Sequence, residues 1–572
     1  MTMRSEHPNP QFYRKSWQNL NGEWQFAIDN SRSGKDRKMF LPDCDPSFFD
    51  KKIIVPFCPE SELSGIGNKD FMLGVWYKRT VNITKEQLEG SVLLKIGACD
   101  YKTEVFLNGE SLGVHFGGYS AFTLKLDRFL REGENTLVIY AEDDSRTNIG
   151  RGKQCSSYYS KGCSYTRTTG IWQTVYLEFV PKNYIKNFRV QGDVAGQCII
   201  LSGTLCGGGN VKAEAFYDGK KVGEASRDVK GAFSFVMPLS ELHLWELGNG
   251  RLYDLVLTFG DDCIKSYFGM RDIGLDKTGF YLNGKNVFQR LVLDQGFYPE
   301  GIYTAKDVDQ LVLDIDLSMA AGFNGARLHE KVFEPLFLYY CDKKGYMVWG
   351  EYANWGMDVC TNETLNGFLG EWTEVLERDV NHPAIIGWCP VNETWNDKNK
   401  EIHDHTLENI YAMTKAYDPT RPCIDVSGYC HTRTTDFYDV HDYDTNPESF
   451  REKYRRFKET GERPDSFTKN NHQSYVNGEP LFISEYGGIG LSLGSGAWSY
   501  GNAPKTEADF HERYRGLTEA MLDNPNIFAF CYTQLYDIEQ EQNGLYTYEG
   551  RVPKVDISKI RAVNTKKAAC EK

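Results

Sequence analysis

Residues 381–393 read NHPAIIGWCPVNE, an apolar stretch of strand length that ends in an asparagine and a glutamate. A second stretch, PLFISE at residues 480–485, also stops at a glutamate. Short apolar runs bounded in this way are typical of buried strands. One acid after a strand is most often a helix cap or a solvated turn, but two in the same part of the chain favour a shared site built from Glu393 and Glu485.

Around these two stretches, apolar strands alternate with longer helical segments such as residues 306–321 and 366–380. This alternation, which begins after Asp272, predicts a parallel sheet covered by helices. The candidate strands are residues 287–293, 322–328, 346–349, 385–391, 422–426, 437–441, 481–484 and 527–532. Eight strands within about 300 residues predict a (β/α)8 TIM barrel, whose active site lies at the carboxyl ends of the strands.

Upstream of the barrel the sequence predicts two antiparallel units. Residues 20–180 contain short alternating segments, and Asn108-Gly109 is a strong signal for a type I′ hairpin turn, so we predict a β-sandwich. Its clearest strands are residues 91–96, 103–107, 123–126 and 135–140. Residues 181–271 hold a second series of strands, whose length of about 90 residues fits an immunoglobulin-like sandwich.

Composition excludes several classes of protein. The net charge is −14, and no Lys/Arg block is long enough to follow a phosphate backbone, so we expect no nucleic-acid partner. No run approaches the roughly 18 apolar residues that span a bilayer, and residues 1–15 lack the apolar core of a signal peptide. The 15 cysteines have irregular spacing without a CxxC pair, which favours reduced thiols and a cytoplasmic location.

Two strand-end carboxylates suit glycoside hydrolysis. One carboxylic acid protonates the leaving oxygen, while the other carboxylate attacks the sugar or activates water. Two neighbouring like charges also raise the pKa of one group, which can then stay protonated near neutral pH. Trp388 and Tyr486 flank the two acids, and aromatic rings of this kind stack on the apolar face of a sugar.

The chain resembles glycoside hydrolase family 2, the family of β-galactosidases and β-glucuronidases, over essentially its whole length. Residues 381–388 followed by Asn392-Glu393 resemble the acid/base motif of that family, and ISEYG at residues 483–487 resembles its nucleophile motif. The resemblance implies that Glu393 is the general acid/base, that Glu485 is the nucleophile and that Asn392 bonds the sugar 2-hydroxyl. Tyr443 matches a tyrosine that orients the nucleophile.

Motifs of the N-terminal half resemble the other modules of the family. VFLNG at residues 105–109, HFGGY at 115–119 and TRTTGIWQ at 166–173 resemble the sugar-binding jelly roll, and SYFGMR at 266–271 resembles the exit from the middle domain. The domains expected from this resemblance are a jelly roll over 1–182, an immunoglobulin-like sandwich over 183–272 and a catalytic TIM barrel over 273–572.

Departures from the family motifs concern sugar recognition. Asp294 lies where the family has Arg-His-Glu, Glu330-Lys331-Val332 replaces a His-Tyr-Pro, and His329 is a substitute for the missing histidine. Glucuronidases carry an Asn-x-Lys pair after the eighth strand, where this chain reads EQN at residues 541–543. The NTK at residues 564–566 is expected on the last helix instead. The candidate substrate-binding residues are Asp294, Arg327, His329, Glu330, Lys331, Asn392, Trp395, Tyr443 and Tyr532.

Weaker signals favour structural roles. His403-Asp404-His405 is expected on a solvated helix face, and the glycines between residues 488 and 496 are expected in a rim loop rather than at a phosphate site. Arg290, Arg327 and Lys331 could bind a substrate carboxylate, although arginines inside a barrel more often hold catalytic acids.

We therefore expect a retaining exo-β-glycosidase that acts on terminal β-hexosides in the manner of a β-galactosidase. The alternatives are a β-uronidase, acting on galacturonides or glucuronides, and a carbohydrate-binding protein without catalysis. We expect a small glycoside or oligosaccharide as substrate, no cofactor, no metal ion and no membrane partner, and the chain could form a homo-oligomer. A retaining pair should hold its carboxyl groups about 5 to 5.5 Å apart.

Overall fold

The computed structural model describes residues 4–460, 480–491, 494 and 496–571. The N-terminal β-sandwich has a four-stranded sheet, a six-stranded sheet and a small two-stranded sheet. Its strands are Trp17–Asn19, Gly22–Ile28, Lys51–Val55, Gly74–Ile83, Ser91–Ile96, Cys99–Asp100, Lys102–Leu107, Glu110–Phe116, Phe122–Lys125, Gly133–Glu142, Gly170–Ile171 and Val175–Val180. Asn108 and Gly109 both have positive φ, as the predicted type I′ turn requires.

The second unit consists of Tyr184–Asp193, Cys198–Tyr217, Lys220–Pro238, Tyr253–Phe259 and Asp262–Phe268. The first half of the long strand Cys198–Tyr217 pairs with Tyr184–Asp193 and its second half with Tyr253–Phe259. Its register with Lys220–Pro238 shifts between Thr204 and Gly208. Because such a bulge bends a strand, the two halves enclose one apolar core as the layers of a sandwich.

A three-stranded sheet, formed by Ile273–Asp276, Gly279–Leu282 and Lys285–Asn286, leads into the barrel. The parallel strands are, in spatial order, Ile385–Cys389, Met347–Glu351, Gly325–Leu328, Gln289–Asp294, Ile527–Thr533, Leu481–Gly487 and Tyr438–Asp442. The helices are Val308–Ala320, Pro335–Lys344, Asn362–Asp379, Lys400–Tyr417, Pro447–Thr460, Glu507–Leu522 and Ile557–Asn564. The TIM-barrel prediction is confirmed.

The prediction of a regular strand at residues 422–426 is wrong. This segment makes two isolated parallel bridges to the chain around Ile385–Cys389, at Cys423 and Ser427. The buried carboxylate of Asp425 accepts bonds from His431 and Thr432 within the same loop, so local side-chain bonds replace part of the ladder. The segment nevertheless occupies the place of the fifth strand in the ring.

Among the described residues, none of the helices is long and apolar enough to cross a membrane. The domain boundaries near residues 182 and 272 stay predictions.

Candidate active site

The two strand-end glutamates lie at the same end of the parallel sheet, on either side of one imidazole. The Nδ1 atom of His441 is 2.7 Å from Glu393 Oε1 and 3.5 Å from Glu485 Oε2. One carboxylate oxygen of each glutamate lies within 4.8 Å of the other. This spacing fits the short separation of retaining glycosidases, because inverting enzymes hold their carboxyl groups about 6.5 to 9.5 Å apart.

Glu393 is held in an uncommon backbone conformation. Its φ is +41°, in the left-handed region that non-glycine residues rarely adopt. Its N–H donates to the carbonyl of Ser427 at 2.9 Å, and the N–H of Asn392 donates to Asn354 Oδ1 at 2.7 Å. These bonds fix the direction of the glutamate side chain, as is common for strained residues at functional sites.

Glu485 is buried and is held as an anion. Arg327 Nη1 donates to its Oε1 at 3.1 Å, and the Tyr443 hydroxyl donates to its Oε2 at 2.5 Å. Burial alone would raise the pKa of Glu485, but the surrounding positive charges, that of His441 foremost, lower it to about 2. An ionised carboxylate at neutral pH is what a nucleophile requires.

Arg327 holds several site residues in place. Besides Glu485, it donates to Glu351 Oε1 at 2.6 Å and to Asn392 Oδ1 at 3.2 Å. Its guanidinium is fully buried, so these bonds fix it as a structural strut rather than as a ligand for a substrate anion. The Nδ2 atom of Asn392, also buried, has no partner among the described residues and is free to donate to a sugar hydroxyl.

His329 and Glu330 lie at this end of the barrel, as predicted. His329 Nδ1 is 3.9 Å from Glu485 Oε1, and burial lowers the pKa of this histidine well below its usual value. Burial raises the pKa of Glu330 well above its usual value, and its Oε1 has no partner in the described part of the chain. Trp395 is 54% exposed and packs against Tyr429, whose ring also contacts His441.

The structure gives three other predicted substrate ligands different partners. Lys331 donates to the carbonyls of Gly296 and Tyr303, so its ammonium is already satisfied inside the fold. Asp294 accepts from the Tyr536 hydroxyl at 2.8 Å and from a backbone N–H. Tyr532 packs against Tyr514 of an outer helix, because side chains alternate between the two faces of a strand.

Two of the weaker sequence signals are resolved by the structure. His403 is buried, with Nε2 2.8 Å from Thr394 Oγ1, so the prediction of a solvated face is wrong for this residue. Arg290 pairs with Glu571 at 2.8 Å, which is a structural role. The predicted rim loop at residues 488–496 lies partly outside the described residues, because 492, 493 and 495 are not described.

Four residues of the site were missed by sequence reasoning. His441 and Glu351 lie at the carboxyl ends of barrel strands, as the last residue but one and the last residue respectively. Their position at a strand end was the sequence signal that could have identified them. Tyr500 stacks on Tyr443 with ring centroids 3.6 Å apart. Lys153 comes from the N-terminal sandwich, and nothing in its local sequence indicates a place near Glu393 and Glu485.

The donor atoms of Glu393, His441 and Glu485 are close enough together to ligate a metal ion. Arg327 and Lys153 already bring positive charge to these acids, which disfavours a dication at the same place. We therefore interpret the cluster as an acid pair with an interposed imidazole.

Comparisons with known proteins agree with this arrangement. The family profile described as "Glycosyl hydrolases family 2, TIM barrel domain" matches residues 274–508, and the profile of the family's sugar binding domain matches residues 66–181. A β-glucuronidase of Streptococcus agalactiae is 22% identical over 606 residues, covering 95% of each chain. A β-galactosidase of Thermoanaerobacterium thermosulfurigenes is 25% identical over 383 residues, covering 62% of this chain and 51% of the relative.

The chain spans about half the length of some curated relatives, including 44% of a protein from Formosa agariphila. Among solved structures, the β-glucuronidase from Ruminococcus gnavus in complex with D-glucuronic acid superposes with a TM-score of 0.78 at 17% identity, covering 96% of this chain and 98% of the other. At this identity, the likeness shows the fold alone.

Proposed function

Because this chain belongs to family 2 of the glycosyl hydrolases, we propose that it is a retaining exo-β-glycosidase with Glu485 as nucleophile and Glu393 as general acid/base. The observation that carries the proposal is the approach of both carboxylates to within 4.8 Å around His441. A gap of this size leaves no room for a water molecule between the nucleophile and the sugar, which favours double displacement.

The reaction has two steps, formation and hydrolysis of a glycosyl-enzyme, and the geometry supports a role for each site residue in them. Glu485 attacks the anomeric carbon while Glu393 protonates the departing oxygen, and a glycosyl-enzyme forms. Glu393 then takes a proton from a water molecule whose oxygen attacks the anomeric carbon, the bond to Glu485 breaks, and the sugar leaves with its configuration retained. Tyr443 and Arg327 direct the Glu485 carboxylate through their hydrogen bonds, and Asn392 is positioned to bond the sugar beside it.

For the sugar, we favour a terminal β-uronide over the neutral β-galactoside that the sequence analysis preferred. A relative that aligns over 95% of each chain is named a β-glucuronidase, which supports the uronide. The β-galactoside is the second candidate and is supported by a shorter match to a named β-galactosidase.

Aryl β-glycosides that differ only in the sugar test the proposal, with the anomer of the first product followed by NMR. We expect retention of configuration. Glu393→Gln should still form the glycosyl-enzyme on activated aryl glycosides, because a good leaving group needs little protonation, whereas Glu485→Gln should form none with any leaving group. Inversion, or equal losses for both variants on every leaving group, would reject the assignment. Absence of hydrolysis with intact sugar binding would favour the non-catalytic alternative.

A further inference from the structure

Lys153 belongs to the N-terminal sandwich in sequence, but its segment is fixed against the barrel. The N–H of Arg151 donates to the carbonyl of Trp355 at 2.8 Å, and the N–H of Gly152 donates to that of Ala353 at 3.3 Å. Gly152 has a φ of +55°, and a Cβ at this position would lie 2.1 Å from the carbonyl oxygen of Glu330. Only glycine allows this approach, so the backbone delivers Lys153 to the carboxyl end of the barrel.

The Lys153 side chain is only 6% exposed, and its Nζ lies 3.7 Å from the centroid of the Trp355 ring. In the described part of the chain, none of the ion pairs at 4.0 Å or closer includes this ammonium. A buried charge without a partner is costly, so its retention calls for a reason.

Glu541, Glu393 and Glu485 near Lys153 are already engaged, whereas Glu330, another neighbour, keeps one carboxyl oxygen without a partner in the described part of the chain. Burial would lower the pKa of Lys153, but Cys163 foremost, and then Glu541, Glu393 and Glu485, raise it. Glu541 accepts from Tyr165 and Asn543, and the bonds to the catalytic pair come from Arg327, Tyr443 and His441. The backbone contacts of this segment and the place of Nζ over the Trp355 ring put the Lys153 ammonium at the carboxyl end of the barrel, the end that carries Glu393 and Glu485.

We infer that Lys153 binds an anionic group at C6 of the terminal sugar, the carboxylate of a β-uronide, and so determines substrate specificity. The inference rests on the proposed function. The chain lacks an Asn-x-Lys after the last barrel strand, and Arg327, Arg290 and Lys331 are bonded elsewhere. Of these four cations, Lys153 is the one that has neither an ion pair nor a hydrogen bond to its charged group among the described residues, so it can form a charge-assisted bond with the substrate.

The experiment compares kcat/KM for 4-nitrophenyl β-glucuronide and β-glucoside, and for β-galacturonide and β-galactoside, in the full-length chain. We expect the parent to prefer the uronide of at least one pair. In Lys153→Met the uronide-to-hexoside ratio should fall about 100-fold, as expected for loss of a hydrogen bond to a charged group. Lys161→Met, an exposed lysine of the same loop, is the matched control and should keep the parent's ratio.

The outcomes separate the two claims. A parent with uronide preference whose ratio stays within threefold in Lys153→Met overturns the role of Lys153 and leaves the uronidase proposal standing. A parent without uronide preference overturns both. A parent that cleaves aryl β-galactoside 6-sulfate faster than either uronide assigns the cation to a sulfate and overturns the carboxylate.

A binding measurement does not depend on the folding of any variant. In calorimetry with the parent, uronic isofagomine should bind about 100-fold more tightly than isofagomine, whose C6 bears a neutral hydroxyl. Equal affinities would overturn the inference.

Discussion

Replacing His441 by glutamine should raise the pH at which activity is lost on the acid side of the pH profile. The imidazole lies 3.5 Å from Glu485 Oε2, and the carboxylates of Glu485 and Glu393 raise the pKa of His441 above its usual value despite its burial, which favours the charged form. A unit charge at that distance is worth about 5 kcal/mol at an effective dielectric constant of about 20, or about 3.5 pKa units.

Removing this charge should raise the pKa of Glu485 from about 2 to about 5.5. The pKa of this acid is depressed in the folded protein, so the ionised nucleophile persists down to low pH in the parent and should be lost earlier in the variant. Glutamine retains a group that can donate to Glu393 and removes only the charge. The assay is kcat/KM on a dinitrophenyl glycoside between pH 4 and 8, because this leaving group needs little acid catalysis.

We expect a flat profile above pH 4 for the parent and a limb at about pH 5.5 for His441→Gln. His329→Gln is the comparison variant, because His329 is also buried beside Glu485 but burial lowers its pKa well below the usual value. His329 contributes less than His441 to lowering the pKa of Glu485, so the acid limb of this variant should move less than that of His441→Gln. An acid limb displaced by less than half a unit in His441→Gln would show that the imidazole is uncharged and would refute the reasoning.

Three further substitutions test residues that position the side chains of the site. Tyr443→Phe should lower kcat/KM by roughly 10- to 100-fold in steady-state assays, because a hydrogen bond to the charged Glu485 is lost. Arg327→Met should destabilise the fold by about 3 to 5 kcal/mol, since it leaves the buried Glu351 unpaired, and denaturant unfolding with unchanged stability would contradict this. Gly152→Ala should reduce kcat/KM for the uronide more than for the matched hexoside, since an added Cβ pushes the Lys153 segment off the barrel; equal reductions would contradict the positioning role.

Local patterns were enough to predict the architecture and the acid pair. The apolar runs before Glu393 and Glu485 identify strand ends, and in a barrel all strand ends of one direction meet at one rim. The fifth strand was overpredicted, because an apolar run at residues 422–426 says nothing about Asp425 bonding its own loop. The structural role of Lys331 could not be predicted either, because the two carbonyls that accept hydrogen bonds from its ammonium are distant in sequence.

The orientation of side chains within the rim was harder to predict than its position. Tyr532 and Arg327 both lie on barrel strands, yet one faces an outer helix and the other the site. Strand periodicity predicts that neighbours alternate but does not fix which of the two sets faces inward when both faces are buried, as in a parallel sheet.

Lys153 shows why the N-terminal sandwich belongs to the active site. It precedes Glu393 by 240 positions, so no window of sequence contains both. Its placement depends on Gly152, whose backbone touches the chain after the third barrel strand, and on Tyr165, whose N–H bonds the Lys153 carbonyl at 2.7 Å. In the proposed function the barrel provides the two acids, and in the proposed role of Lys153 the sandwich contributes a cation for the sugar. Sugar specificity can therefore change through the sandwich loop while the catalytic pair stays the same.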